Sequence, residues 1–113
     1  MYSKEIELDK PRRFRYDFNA VADIEEKAGM NILELFRPER VGHHTMRLLV
    51  WGGLKWENRG LTVEAAGKIV VKFIENGGNT GDLFVQIHEM LVAAKIIVIV
   101  EEESEGNVEA ETD

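Results

Sequence analysis

The sequence predicts an α+β fold in which an N-terminal β-hairpin precedes a mainly α-helical bundle of four to five helices. Near the N-terminus, polar and apolar residues alternate as they do in half-buried strands. From about residue 19 onward, apolar residues recur at helical spacing, and turns containing glycine or asparagine separate the segments. The chain has 113 residues and no cysteine. This length suits a single globular domain, predicted over residues 1–100, without a disulfide framework.

The predicted hairpin occupies about residues 4–18. Residues 4–8 alternate as KEIEL, and residues 12–18 alternate again as RRFRYDF. Residues 9–11 (DKP) indicate the turn, because proline fixes its own φ and cannot donate to a strand ladder. One face of the second strand is predicted to carry Phe14, Tyr16 and Phe18.

Helices are predicted over about residues 19–96. Asn19 is expected to be the N-cap of the first helix, and Gly29 is expected to end it. Asn31 then begins a short apolar turn.

A third helix is predicted from about Arg40 to Trp56, with apolar residues on more than one face. Such a helix is either central to the core or has one face available for a partner. Within it, Gly52 and Gly53 each cost about 1 kcal/mol relative to alanine. Close packing against another backbone at this point would offset that cost.

Two more helices follow. The fourth begins after Thr62 as N-cap, and its buried stripe is predicted to be Ala66, Ile69, Val70, Phe73 and Ile74. The last opens near Thr80, with a predicted buried stripe of Leu83, Ile87, Met90, Leu91 and Ala94. The β-branched run at residues 96–100 suits either a continued helix or a strand, and both alternatives stay open.

The excess negative charge lies at the C-terminus. Residues 101–113 hold seven acids and no lysine or arginine, so the remaining 14 acids balance the 14 bases. This segment lacks apolar content and is predicted to be a disordered acidic tail. A neutral body argues against nucleic-acid binding, which needs a basic face. The apolar run at 96–100 is far shorter than the roughly 20 residues that cross a bilayer, so no membrane partner is expected.

No residue pattern predicts catalytic, cofactor-binding or metal-binding chemistry. His43 and His44 are adjacent and would point about 100° apart on a helix, which suits a shared metal poorly. The only serines are Ser3 and Ser104, and neither lies in a nucleophile elbow. Residues 77–81 (GGNTG) lack the Gly-Lys-Ser/Thr ending of a phosphate-binding loop. The sequence therefore predicts a protein that is not an enzyme and needs no cofactor.

The middle of the chain resembles a known family. Residues 46–54 (MRLLVWGGL), followed by residues 61–70 (LTVEAAGKIV), are similar to the tail assembly chaperones of long-tailed phages and of gene-transfer agents. In that family an apolar helix ending in W-x-G-L or W-A-G-L precedes the motif L-T-x-E-x-x-G. Residues 18–26 (FNAVADIEE) resemble the segment after the family's N-terminal hairpin, and the likeness covers roughly residues 5–78.

The resemblance implies a non-enzymatic chaperone in the cytoplasm of a bacterial host. Its partner would be the tape measure protein, and a frameshifted longer form would meet the tail tube protein. A chaperone of this kind needs exposed apolar surface, which the third helix is expected to supply. The hypothesised protein-binding residues are Leu49, Trp51, Leu54 and Trp56. The same helix could equally be buried in a homo-oligomer.

Three rival functions rank lower. A phage structural subunit, such as a tail tube or head–tail connector component, would form rings or tubes by itself. An inhibitor that mimics nucleic acid would need its acids on a folded surface, whereas here they lie in the tail. An enzyme ranks last, because the residue types that most mechanisms need are scarce or badly spaced.

Overall fold

A two-stranded antiparallel hairpin followed by five helices forms the described part of the chain, residues 2–97 of the computed structural model. This architecture confirms the predicted α+β class. The strands are β1 (Lys4–Glu7) and β2 (Pro11–Phe14), and the helices are α1 (Phe18–Ala28), α2 (Ile32–Leu35), α3 (His43–Leu54), α4 (Val63–Glu75) and α5 (Thr80–Ala93). Residues 98–100 and the predicted acidic tail at 101–113 lie outside the described residues.

The hairpin turn is held by one carboxylate. Asp9 accepts hydrogen bonds from the backbone N–H of Lys10 at 2.9 Å and from Nε and Nη2 of Arg12 at 2.8 and 2.7 Å. The hydrogen bond from the Arg12 guanidinium is the main reason that the pKa of Asp9 lies below its ordinary value. The turn is therefore stabilised by the Asp9–Arg12 ion pair as well as by the restricted backbone of Pro11.

The second strand is shorter than predicted. It ends at Phe14, and although Phe14 and Tyr16 are buried as expected, Phe18 is 80% exposed. Helix α1 begins at Phe18, so the alternation of the strand no longer sets the direction of that side chain. The predicted N-cap is also wrong, since Asp17, not Asn19, accepts the capping hydrogen bond from the backbone of the first turn.

The boundaries of α1 and α2 otherwise follow the sequence. Gly29 ends α1 in the left-handed conformation, with φ of 73°. Asn31 caps α2 through a reciprocal capping box with Glu34.

Helix α3 lies at the centre of the core. It packs against α1, α4, α5 and β2, and its buried positions run from Thr45 to Leu54 with the exception of Arg47. Of the two alternatives for this helix, the central position is confirmed. The helix is shorter than the predicted Arg40–Trp56, because Pro38–Arg40 forms a separate 3₁₀ turn and Gly42 is the N-cap.

The two adjacent glycines of α3 allow the other elements to approach its backbone. A β-carbon at Gly52 would overlap the Ile24 side chain of α1. A β-carbon at Gly53 would lie 2.5 Å from Phe14 Cδ2 and 2.8 Å from the Tyr16 ring. Close packing at this pair was predicted, although the nearest neighbours are side chains and not another backbone.

Hydrogen bonds secure the same contact between the hairpin and α3. The backbone N–H of Arg15 donates to Gly53 O at 2.9 Å, and the Tyr16 hydroxyl donates to Leu49 O at 2.5 Å. Burial raises the pKa of the Tyr16 phenol, which keeps the hydroxyl protonated as a donor. The segment after β2 is thus fixed to α3 by main-chain and side-chain bonds together.

Helix α4 has its predicted N-cap, α5 begins at Thr80 as predicted with Asn79 as its N-cap, and both helices match most of their predicted stripes. Thr62 accepts from Ala65 N at 3.0 Å, and Asn79 accepts from Asp82 N at 3.0 Å. Ile74 departs from the prediction, because it is 48% exposed. The other residues of the two predicted stripes are buried, apart from the half-buried Ala94 beyond the end of α5.

The segment after α5 leaves the helix immediately. Lys95 adopts a left-handed φ of 66°, and residues 96–97 form neither helix nor strand. Ile97 is nevertheless buried, so the apolar run begins by packing onto the core. None of the helices in residues 2–97 combines the length and the apolar character needed to cross a membrane.

Replacing Gly53 by alanine should destabilise the protein, because the new methyl group would overlap the Phe14 and Tyr16 rings. We expect a loss of about 1–3 kcal/mol in the free energy of unfolding, measured by urea denaturation, in spite of the gain in helix propensity. Gly67→Ala is the matched control, because a β-carbon there makes only ordinary contacts, the nearest at 3.6 Å from Arg47 Cδ. An equal gain in stability for both variants would contradict the close packing of α3.

Asp9→Asn should lower the free energy of unfolding by about 1 kcal/mol near neutral pH. Because the pKa of Asp9 is lowered on folding, its contribution is fully present above the unfolded value of about 3.9 and is lost as the pH falls through the folded value. The difference from the parent protein should therefore stay constant from about pH 6 to about pH 5 and shrink as the pH falls below roughly 4 in urea titrations. Glu26→Gln, at an exposed carboxylate of α1, is the control, and a pH-independent difference for Asp9→Asn would contradict this account.

Candidate protein-binding groove

The four residues hypothesised to bind a partner do not form one exposed surface. Leu49 and Leu54 are completely or almost completely buried, and Trp51 is 7% exposed. Trp56 is half-buried and lies beyond the end of α3. The expectation that α3 exposes an apolar face along these positions is therefore wrong, since its side chains are used by the protein's own core.

Trp51 is a core residue with a polar edge. Its indole N–H donates to Leu61 O at 3.0 Å, which joins α3 to the start of α4. The ammonium groups of Lys27 and Lys55 lie 5.5 and 5.1 Å from the ring centroid, within the range of cation–π contacts. Lys55 also forms an ion pair with Asp23, so the ring is covered by a charged network.

Trp56 is half-buried and contacts the hairpin and the residue that follows it. Its indole N–H donates to Arg13 O at 3.0 Å, and the Arg15 guanidinium lies 5.1 Å from its ring centroid. Arg15, Trp56, Lys55 and Arg59 line the same shallow, polar cleft. A role of Trp56 in partner binding remains a prediction.

The structure instead places an open apolar groove where α3, α4 and α5 meet. It has a volume of about 360 Å³ and is lined mainly by apolar residues and glycines. Val41, Val71 and Ile74 contribute large side chains that are 43–53% exposed. The complete lining is Val41, Gly42, His43, Met46, Arg47, Gly67, Val70, Val71, Ile74, Thr80, Gly81 and Phe84.

The groove owes its open shape to small residues between large ones. Gly42, Gly67 and Gly81 belong to three different structural segments and contribute no side chain to its lining. Phe84 supports the α5 side, since its ring packs 4.7 Å from the ring of Phe36. At Gly42 a β-carbon would meet no atom within 4 Å, so another backbone can approach closely there, and the aromatic ring of Phe84 offers it an apolar surface.

The electrostatic character of the groove comes from α3. Among the described residues, Arg47 and His43 are the only ionisable groups in the lining, and no carboxylate belongs to it. The first turn of α3 contains no acid, and Gly42 provides no side-chain cap. The partial positive charge of the helix N-terminus is therefore not offset within that turn.

Within residues 2–97, no cluster of three or more potential metal ligands is present. His44 accepts a hydrogen bond from Arg47 at its Nδ1 atom, and His43 lines the groove without a neighbouring histidine ligand. The lowered pKa of Asp9 and the raised pKa of Tyr16 belong to the hairpin turn and to the core, and neither residue lines the groove.

The groove was not predicted from the sequence, although residues 69–74 contain a signal for it. In α4, residues 69–74 (IVVKFI) place five apolar residues among six, which is wider than one buried stripe requires. Val71 and Ile74 are the apolar residues in excess of the buried stripe, and they line the groove. Their meeting with the start of α3 and of α5 depends on tertiary packing, which the pattern alone does not give.

Comparison of the chain with protein-family models, curated proteins and solved structures finds no match.

Phenylalanine substitutions at the two tryptophans should separate their structural roles. Trp51→Phe leaves the buried Leu61 carbonyl without its indole donor and should cost about 1–3 kcal/mol of unfolding free energy. Trp56→Phe removes a donor at an exposed carbonyl that water can reach, so a cost below about 1 kcal/mol is expected. Urea denaturation of both variants provides the test, and the reverse order would contradict the assignment of Trp51 to the core.

Proposed function

We propose that this protein is a non-enzymatic tail assembly chaperone of a long-tailed phage or prophage, acting in the cytoplasm of the bacterial host. It binds a helical part of the tape measure protein and keeps that long chain soluble while the tail tube assembles around it. The open apolar groove between α3, α4 and α5 carries this proposal. A chaperone that holds an apolar helix needs such a surface on an otherwise well-packed body.

The motif residues behind the resemblance support the same proposal. The W-G-G-L segment ends α3, and the L-T-V-E-A-A-G segment contains the N-cap and first turns of α4. Trp51 and Leu61 are joined by a hydrogen bond, so the two motifs form one structural unit. Gly67, the last residue of the second motif, lies in the groove lining.

The charge distribution suits a holding function. The seven acids of residues 101–113, with no lysine or arginine among them, would oppose aggregation of a complex that carries apolar segments. A longer form that continues beyond this segment could also contact the tail tube protein, as the resemblance implies.

A second candidate is a structural subunit that assembles with itself. The sheet in residues 2–97 has only two strands, and strand addition at a sheet edge is a common route to assembly. Such a protein would form homogeneous rings or tubes without a partner.

Co-expression with the long helical protein encoded immediately downstream tests the proposal. We expect the two chains to co-purify, and the downstream protein to be insoluble when it is expressed alone. Failure to co-purify, with this chain eluting as large homogeneous rings, would favour the structural-subunit candidate instead.

Val71→Glu should abolish co-purification while changing the free energy of unfolding by less than about 0.5 kcal/mol. Val71 is 53% exposed and lines the groove, so a carboxylate there would be desolvated by a bound apolar helix. Val85→Glu is the matched control, because Val85 is 55% exposed on α5 but does not line the groove. Pull-down yields for the two variants give the answer, and equal binding by both would remove the groove from the proposal.

A further inference from the structure

One arginine in the groove has no acidic partner among residues 2–97. The aliphatic stem of Arg47 lies over Gly67 of α4, where an added β-carbon would be 3.6 Å from Arg47 Cδ and 3.8 Å from its Cβ. The Nε–H of Arg47 donates to His44 Nδ1 at 2.9 Å, which fixes the orientation of the guanidinium. The side chain is thus positioned by α4 and by its own helix.

The remaining donors of Arg47 are available. In the described part of the chain no carboxylate lies within ion-pair distance of it, whereas Arg12, Arg13 and Arg37 each have one. No described residue accepts a hydrogen bond from its two terminal amino groups. A guanidinium presents these groups as a planar fork that matches a carboxylate.

The surroundings of Arg47 favour an anionic group at the edge of an apolar ligand. The described lining of the groove contains apolar side chains and glycines but no acid. The N-terminus of α3 adds a partial positive charge, because its first turn is neither capped by a side chain nor acidic. A purely apolar occupant would leave the guanidinium partly desolvated without a partner, which is unfavourable.

We propose that the groove binds an acidic amphipathic helix of a partner protein, and that Arg47 pairs with a glutamate or aspartate of that helix. This inference rests on the proposed function and specifies the partner segment by its chemistry. Apolar side chains at i, i+3 or i+4 would contact Val41, Val71 and Ile74, in the manner of other helices bound in grooves. Gly42 leaves room for the backbone of the bound helix to approach, because a β-carbon there would meet no atom within 4 Å.

The test uses the full chain and two synthetic helical peptides labelled with fluorescein. Both peptides carry the same leucine stripe with i, i+3, i+4, i+7 spacing. The polar positions beside the stripe are glutamate in one peptide and glutamine in the other. Fluorescence anisotropy should give a dissociation constant about tenfold lower for the glutamate peptide, which corresponds to one charge-assisted pair.

The Arg47→Gln variant should bind the two peptides equally, with the affinity for the glutamine peptide unchanged. Arg59→Gln is the matched control, because Arg59 is exposed and lines the cleft near Trp56 instead of the groove. It should retain the tenfold preference. Circular dichroism and urea denaturation of each variant show whether the fold is intact.

Several outcomes would overturn the inference. One is equal binding of both peptides by the parent protein, and another is a preference that survives Arg47→Gln. If neither peptide binds, the inference is also overturned. This holds whether the chain binds decanoate, a small apolar acid, or associates only with itself.

Two further outcomes separate this inference from the proposed function. If Arg47-dependent peptide binding is observed but the downstream protein does not co-purify, the pairing of Arg47 with an acidic helix is supported and the proposed function fails. If the downstream protein co-purifies without any dependence on Arg47, the proposed function is supported, and the pairing of Arg47 with an acidic helix is contradicted.

Discussion

The close approach of the hairpin and α1 to the backbone of α3 is the constraint on which the rest of the fold depends. Gly52 and Gly53 make this close approach sterically possible, because any larger residue at Gly53 would overlap the Phe14 and Tyr16 rings. The hydrogen bonds from Arg15 N to Gly53 O and from the Tyr16 hydroxyl to Leu49 O then hold the elements together. The unfavourable helix propensity of the glycines is offset by burial of aromatic and aliphatic surface against the helix.

The central position of α3 determines which surfaces are free for function. Its middle and C-terminal turns are enclosed by α1, β2 and α4, so residues such as Leu49 and Leu54 are buried in the protein's own core. Only its N-terminal turns, near His43 and Arg47, lie in an open groove. The same helix thus stabilises the fold at one end and contributes to a candidate binding site at the other.

Charge and apolar surface are separated in a way that fits binding of another chain. The acids and bases of residues 1–100 balance, and the excess negative charge lies in residues 101–113. Repulsion of an acidic partner by that segment is screened over about 8–10 Å at physiological ionic strength. A direct contact between Arg47 and a carboxylate acts at much shorter range, so local pairing in the groove can dominate recognition.

Local sequence determined the secondary structure well, because caps and periodicity act within a few residues. Gly29 and Thr62 occupy the cap positions that were predicted for them, and Asn31 begins the short helix α2 where an apolar turn was predicted. Tertiary structure decided what local patterns left open. In the folded protein α3 lies in the core and Phe18 lies at the surface. Val41, Val71 and Ile74, which do not all belong to one segment, line one groove. Periodicity identifies which residues are apolar on one helix, but only the packing of several helices decides which of those faces meet and which remain open.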